Sequence, residues 1–183
     1  LRAGQRQRLS DFGVFGYAVA SSATLGEAIA FGIEHVKLVG PVLEKSMRIE
    51  DEIAIFAGHD VFELNDLLPL MTEFWFSTTH SLIGHVMERP FRSISLSLPY
   101  PAPSHAALYS EIFQCRVNFG ADVMEWRFDA TQLDEPCPNA NRITARMCSD
   151  FCDRMLKSLG ADAPDIVRAI RLECLNHTGN LPS

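Results

Sequence analysis

VLEKSMRIEDEIAIFA, residues 42–57, is the stretch whose reading decides the fold. Residues 42–48 and 52–57 read as two strands around the polar turn Ile49-Glu50-Asp51. In the second strand Ile53, Ile55 and Ala57 share one face at period two, the repeat of a pleated strand. The segments on either side are helical. Upstream, Thr24 with Glu27 three residues on has the form of a capping box, followed by Leu25, Ala28, Ile29, Gly32, Val36 and Val39 at helical spacing. Gly40-Pro41 ends that helix. Downstream, residues 66–87 form a long helix with Leu67, Met71, Phe74, Leu82 and Val86 spaced for the core. Pro69 sits in its first turn, where a missing amide costs little.

Further out the signals alternate again. Residues 12–20 are apolar but carry Gly13 and Gly16, and periodicity does not separate helix from strand there. Residues 93–98 alternate Ser with Ile94, Leu96 and Leu98, which is a strand; after the stiff loop of Pro99, Pro101 and Pro103, Ser104 caps a helix with Ala107, Leu108, Ile112 and Phe113. Residues 117–119 and 123–128 read as a last hairpin turning at Gly120-Ala121-Asp122. A helix with Ile143, Met147, Phe151 and Met155 on one face follows and ends at Gly160, and Asp162-Ala163-Pro164 opens another through about residue 175. Met147 and Phe151 are expected to face the domain's own sheet. The order predicts an α+β domain: an antiparallel or mixed sheet of about five strands in hairpins, covered by helices, with a C-terminal helical extension. Residues 1–159 form the domain and 160–183 a helical linker.

Composition narrows the function. With 16 basic and 23 acidic residues the net charge is −7, and the only dense basic stretch is Arg2, Arg6 and Arg8. Such a chain by itself is a poor binder of nucleic acid. The longest mostly apolar stretch, residues 64–86, contains Asn65, Asp66, Glu73, His80 and His85, so no membrane span is expected. Five cysteines without repeated close pairs fit reduced thiols in a cytoplasmic protein. A start at Leu1 and an end at Leu181-Pro182-Ser183 look like cuts inside a longer protein.

Catalytic and metal readings are weak. There is no G-x-S-x-G, and His80 and His85, five apart, diverge by roughly 140° around a helix. Gly13 and Gly16 do not complete a phosphate-binding fingerprint. Cys148 and Cys152 share a helical face that zinc bridges in some proteins, with Cys137 and His177 as further ligands; Met147, Phe151 and Met155 make that helix an ordinary core element instead. No metal, cofactor or enzyme activity is expected.

Two runs in series carry a resemblance. Gly13-Val14-Phe15-Gly16-Tyr17-Ala18 with residues 21–28, SSATLGEA, is the first; LPYPAPSH at 98–105, then Tyr109, Phe113, Val117, Phe119-Gly120-Ala121 and Leu133, is the second. Over roughly residues 1–159 they resemble the effector domain of AraC-type transcription regulators, in the branch labelled arabinose-binding-like. The resemblance implies effector sensing and homodimerisation, with promoter DNA contacted by a helix-turn-helix pair that is absent from this chain. It implies no particular effector, since members of the branch need not bind arabinose. The alternatives are a ligand-independent dimerisation module and, further off, a small enzyme with an unrecognised site.

Two sets of residues follow as candidates. The long middle helix is apolar beyond one face, and Glu73, Ser77 and His80 share a polar stripe. A small-molecule pocket beside it is expected to involve Glu73, Trp75, His80 and Trp126. Core packing alone explains Trp126 without a ligand, since it shares a strand face with Met124 and Phe128. The dimer interface is expected in the C-terminal helical region, roughly residues 139–175, with Ile166, Ile170 and Cys174 of its last helix; docking of that helix on its own domain is the alternative.

Overall fold

The computed structural model describes residues 1–40 and 42–162. The chain runs α1 (Gly13–Ala20), α2 (Leu25–Glu34), β1 (Glu44–Glu50), β2 (Ile53–His59), α3 (Leu68–Met87), β3 (Ser95–Leu98), α4 (Ala107–Phe113), β4 (Arg116–Phe119), β5 (Met124–Asp129) and α5 (Arg142–Asp162). The five strands form one mixed sheet in the order β1-β2-β5-β3-β4. This is the expected α+β architecture, and residues 42–57 form the antiparallel hairpin expected of them, with Glu50 opposite Ile53.

The second expected hairpin does not form. β4 pairs parallel with β3, and β5 pairs antiparallel with β3 and β2, so β3 is inserted between two strands that neighbour each other in sequence. The amides of Gly120 and Ala121, in the expected turn, donate instead to the carbonyls of Tyr100 and Leu98 at the end of β3. α4 is thereby the crossover of a β-α-β unit, which a parallel pair requires.

Directly opposed residues share a sheet face, so register assigns the two faces. Met47, Phe56, Trp126 and Leu96 lie on one; Arg48, Ile55, Arg127 and Ser95 lie on the other. The helices cover the first face, with Phe76 of α3 and Phe113 of α4 edge-on to Trp126. The opposite face carries an ion network in which Glu125 accepts from both Arg48 and Arg127, over the buried side chains of Ile55 and Ala57. The expected face of Ile53, Ile55 and Ala57 therefore exists, but it points away from the helical layer.

Helix ends follow local chemistry with some corrections. The Thr24 hydroxyl accepts from the Glu27 amide, while the Glu27 carboxylate accepts from Ala23. α2 ends at Glu34, and a short 3-10 turn, Val36–Val39, carries the chain to Gly40, whose φ of 69° suits glycine. Residues 12–20, ambiguous in the sequence, resolve as α1. α4 begins beyond Ser104 with Ala106 at its N-cap and no side-chain cap. On α3 the buried positions include Thr72, Phe76, Ile83, Val86 and Met87; Leu67 and Phe74 are exposed.

α5 departs most from expectation. It continues through Gly160 to Asp162. It packs on α1, not on the sheet, with Cys152 fully buried. The stripe of Ile143, Met147, Phe151, Met155 and Leu159 faces outward, Ile143 and Met147 being 74% and 67% exposed. Helical periodicity had marked the stripe correctly; the partner assumed for it was wrong. The last helix expected from Asp162-Ala163-Pro164, with Ile166, Ile170 and Cys174, lies outside the described residues.

Candidate functional site

Helix α3 divides the molecule's interior into two compartments. On the side turned to α1, α2 and β1 there is a cavity of about 140 Å³. Its walls come from Phe15 and Val19 of α1, Ile29 and Ile33 of α2, Phe56 of β2 and Ile83 of α3, among others. A wider cleft of about 560 Å³ adjoins it, reaching Gln7, Leu70 and Phe74. Phe12, Val39, Lys45, Trp75 and Thr78 border both spaces and so form the neck between them.

Small residues make this room. A Cβ on Gly58 of β2 would lie 2.5 Å from the Trp75 ring and 2.6 Å from the Met124 sulfur, so only glycine lets Trp75 lie down on the strand. Trp75 then meets Phe56 edge-on at 5.3 Å between ring centroids. Gly32 of α2, lining the cavity, has nothing within 4 Å of where a Cβ would be.

Lys45 sits opposite Gly58 on the helix-covered face of β1, where its neighbours at period two are Leu43 and Met47. Its ammonium lies 5.6 Å from the centroid of the Trp75 ring, a cation–π contact. Burial pushes Lys45 down to about 8. It forms no ion pair among the described residues. Thr78, also in the neck, has a buried hydroxyl with no hydrogen-bond partner among the described residues.

Of the four residues expected around a pocket, Trp75 lines the cavity, and Glu73, His80 and Trp126 belong to the other compartment. The Glu73 carboxylate accepts from Tyr109 Oη at 2.6 Å and meets His105 Nε2 at 2.6 Å, while Tyr100 and Tyr109 share a hydroxyl contact at 3.1 Å. Burial acts to raise the Glu73 pKa, but the bonds from Tyr109 and His105 outweigh it and hold the carboxyl below its usual range. His80 is packed among Phe91, Phe113 and Trp126, and burial lowers its pKa. Trp126 is fully buried and its indole N–H donates to Ser93 Oγ at 2.8 Å.

Sequence reasoning missed Lys45 and Thr78. A signal for Lys45 was present: a lysine in phase with Leu43 and Met47 on a strand whose other face is polar. No group of three or more potential metal ligands occurs among the described residues, and no helix among them is long and apolar enough to cross a membrane.

A family model described as the arabinose-binding domain of AraC transcription regulators, N-terminal, matches residues 1–137. The chain belongs to this family, whose members are parts of transcription regulators and not enzymes. It is 28% identical over 179 residues to the ornithine utilization regulator of Pseudomonas aeruginosa, a match covering 98% of this chain and 52% of that protein. It is 26% identical over 164 residues to an uncharacterized HTH-type transcriptional regulator of Mycobacterium tuberculosis, covering 84% and 46%. The chain thus spans about half the length of these relatives. The crystal structure of the transcriptional regulator CdpR from Pseudomonas aeruginosa superposes with a TM-score of 0.67 at 19% identity, over 79% of this chain and 47% of that one, and shares its fold.

Proposed function

We propose that this chain is the effector-sensing and self-associating part of an AraC-family regulator, with the cavity beside α3 as its effector site. The carrying observation is that the cavity and α5 share supports. α1 and α2 wall the cavity, α1 also packs against α5, and His35 at the end of α2 meets Asp153 of α5 at 2.9 Å. An occupant that shifts α1 or α2 therefore biases the position of α5, which is how a ligand selects between states of a dimer.

The outward stripe of α5 supplies the self-association surface. Five apolar side chains at four-residue spacing remain uncovered in the single chain, an arrangement that drives association in water. A two-fold pair of such domains suits paired DNA half-sites, and promoter contacts fall to helix-turn-helix units outside these 183 residues.

Light scattering on the 183-residue chain tests this reading. Wild type should be a dimer at tens of micromolar concentration. Phe151→Glu or Met147→Glu should remain folded, since both side chains are exposed, and weaken the dimer at least ~30-fold, the loss of one interface hot spot of about 2 kcal/mol. A wild-type chain that stays monomeric at high micromolar concentration would end the proposal.

A further inference from the structure

The cavity's chemistry is selective. Its inner chamber is close in size to engineered apolar cavities of roughly 150 Å³ that hold one benzene ring. Among the described residues lining the chamber or the outer cleft, Lys45 is the only charged side chain. Two hydrogen-bond donors without acceptors among the described residues, the Lys45 ammonium and the buried Thr78 hydroxyl, belong to the neck where the two spaces meet. An ammonium drawn out of water without a counter-ion is costly, and an arriving anion would relieve that cost. Sugars are poorly matched, because nearly every carbon carries a hydroxyl needing a partner once buried. The inner walls offer little beyond Thr78 and Thr79. Cationic amines meet a like charge at the entrance.

Resting on the reading of this cavity as the effector site, we propose that it takes a small amphipathic anion. An apolar group about the size of one aromatic ring fills the inner chamber, and a carboxylate sits at the neck against Lys45 and Thr78. Trp75 covers the junction of the two parts. The family's arabinose label does not describe this chain's cavity.

Phenylacetate, neutral phenylacetamide and L-arabinose are the probes, titrated into the 183-residue chain by calorimetry and by tryptophan fluorescence. Phenylacetate should bind at least ~10-fold more tightly than phenylacetamide, and L-arabinose should give no saturable signal. Lys45→Met should bring the two aromatic probes to within about twofold of each other. Thr78→Val should weaken phenylacetate several-fold. Gly32→Leu, whose new side chain enters open space in the chamber, should fold normally and abolish binding of both. Equal affinity for acid and amide, a preference for L-arabinose, or failure of phenylacetate to bind would each overturn the anion. A non-anionic small molecule that co-purifies with wild type and is lost in Gly32→Leu would overturn it too, while leaving the effector reading standing. Phenylacetate binding that survives Gly32→Leu would sink both.

Discussion

The two sides of helix α3 carry similar side chains and have opposite fates. On one side Trp75 lies against Gly58 and Phe56 and borders open space, with Lys45 and Thr78 lacking hydrogen-bond partners among the described residues. On the other, Trp126, His80 and Glu73 are surrounded: every polar group named there has a hydrogen-bond partner and every ring touches another ring. Aromatic and polar residues along a helix therefore do not define a site. Unspent hydrogen-bonding capacity beside unfilled volume is the stronger sign, and among the described residues named here only the Trp75 side has both.

The contrast is open to breakage first through its two tryptophans. Trp126→Ala should destabilise the chain by about 3–5 kcal/mol, the range for deleting a fully buried large aromatic side chain. Trp75→Ala should cost at least about 1 kcal/mol less, since its ring already adjoins a void. Urea unfolding of both measures the gap; equal losses would mean the two compartments are equally packed.

The polar groups of the packed side give the next effect. Glu73→Leu removes the carboxylate acceptor of the Tyr109 hydroxyl, leaving it only Tyr100, and should cost about 1–3 kcal/mol by the same assay. The triple variant Glu73→Leu/Tyr100→Phe/Tyr109→Phe should be more stable than the single one, because the acceptor and both buried hydroxyls are then removed together. A triple variant worse than the single would show that Glu73 acts otherwise than as an acceptor.

The smallest effect is a pH dependence. Burial lowers the His80 pKa in the folded chain, with a hydrogen bond to the Phe91 backbone working the other way. The unfolded chain binds a proton there at about pH 6.5. Stability should therefore be full at pH 7 and fall as pH drops below that point, since the unfolded state takes up the proton first. The carboxyls of Glu73 and Glu125, both held below their usual range, add their own loss only at lower pH. His80→Leu should flatten the slope of melting temperature between pH 7 and 5; an unchanged slope would place the proton elsewhere.

Local features were legible in the sequence, and non-local ones were not. The hairpin at residues 42–57, the cap at Thr24 and the proline-started α3 all depend on contacts within a few residues. The pairing of Gly120 and Ala121 with the end of β3 does not, and a turn-like triplet between two strands reads the same whether or not a third strand enters. The stripe on α5 shows the same limit, because periodicity reveals an apolar face but never its partner. The cavity was least legible of all, being made by what Gly32 and Gly58 lack. Trp75 on the long helix and the parity of Lys45 were what pointed to it.

The insertion of β3 bears on how the chain is made. Of the five described strands β5 is the last to leave the ribosome and lies at the middle of the sheet, joined to β2 on one edge and β3 on the other. Until Asp129 has emerged, β1-β2 and β3-β4 are two separate ribbons, with Phe56 and Leu96 lacking the strand that will lie between them. Sheet closure must then join residues 44–59 to residues 95–129 in one late, long-range step. A nascent chain arrested before Met124 is therefore two unjoined pieces with open edges, the kind of species that chaperones hold.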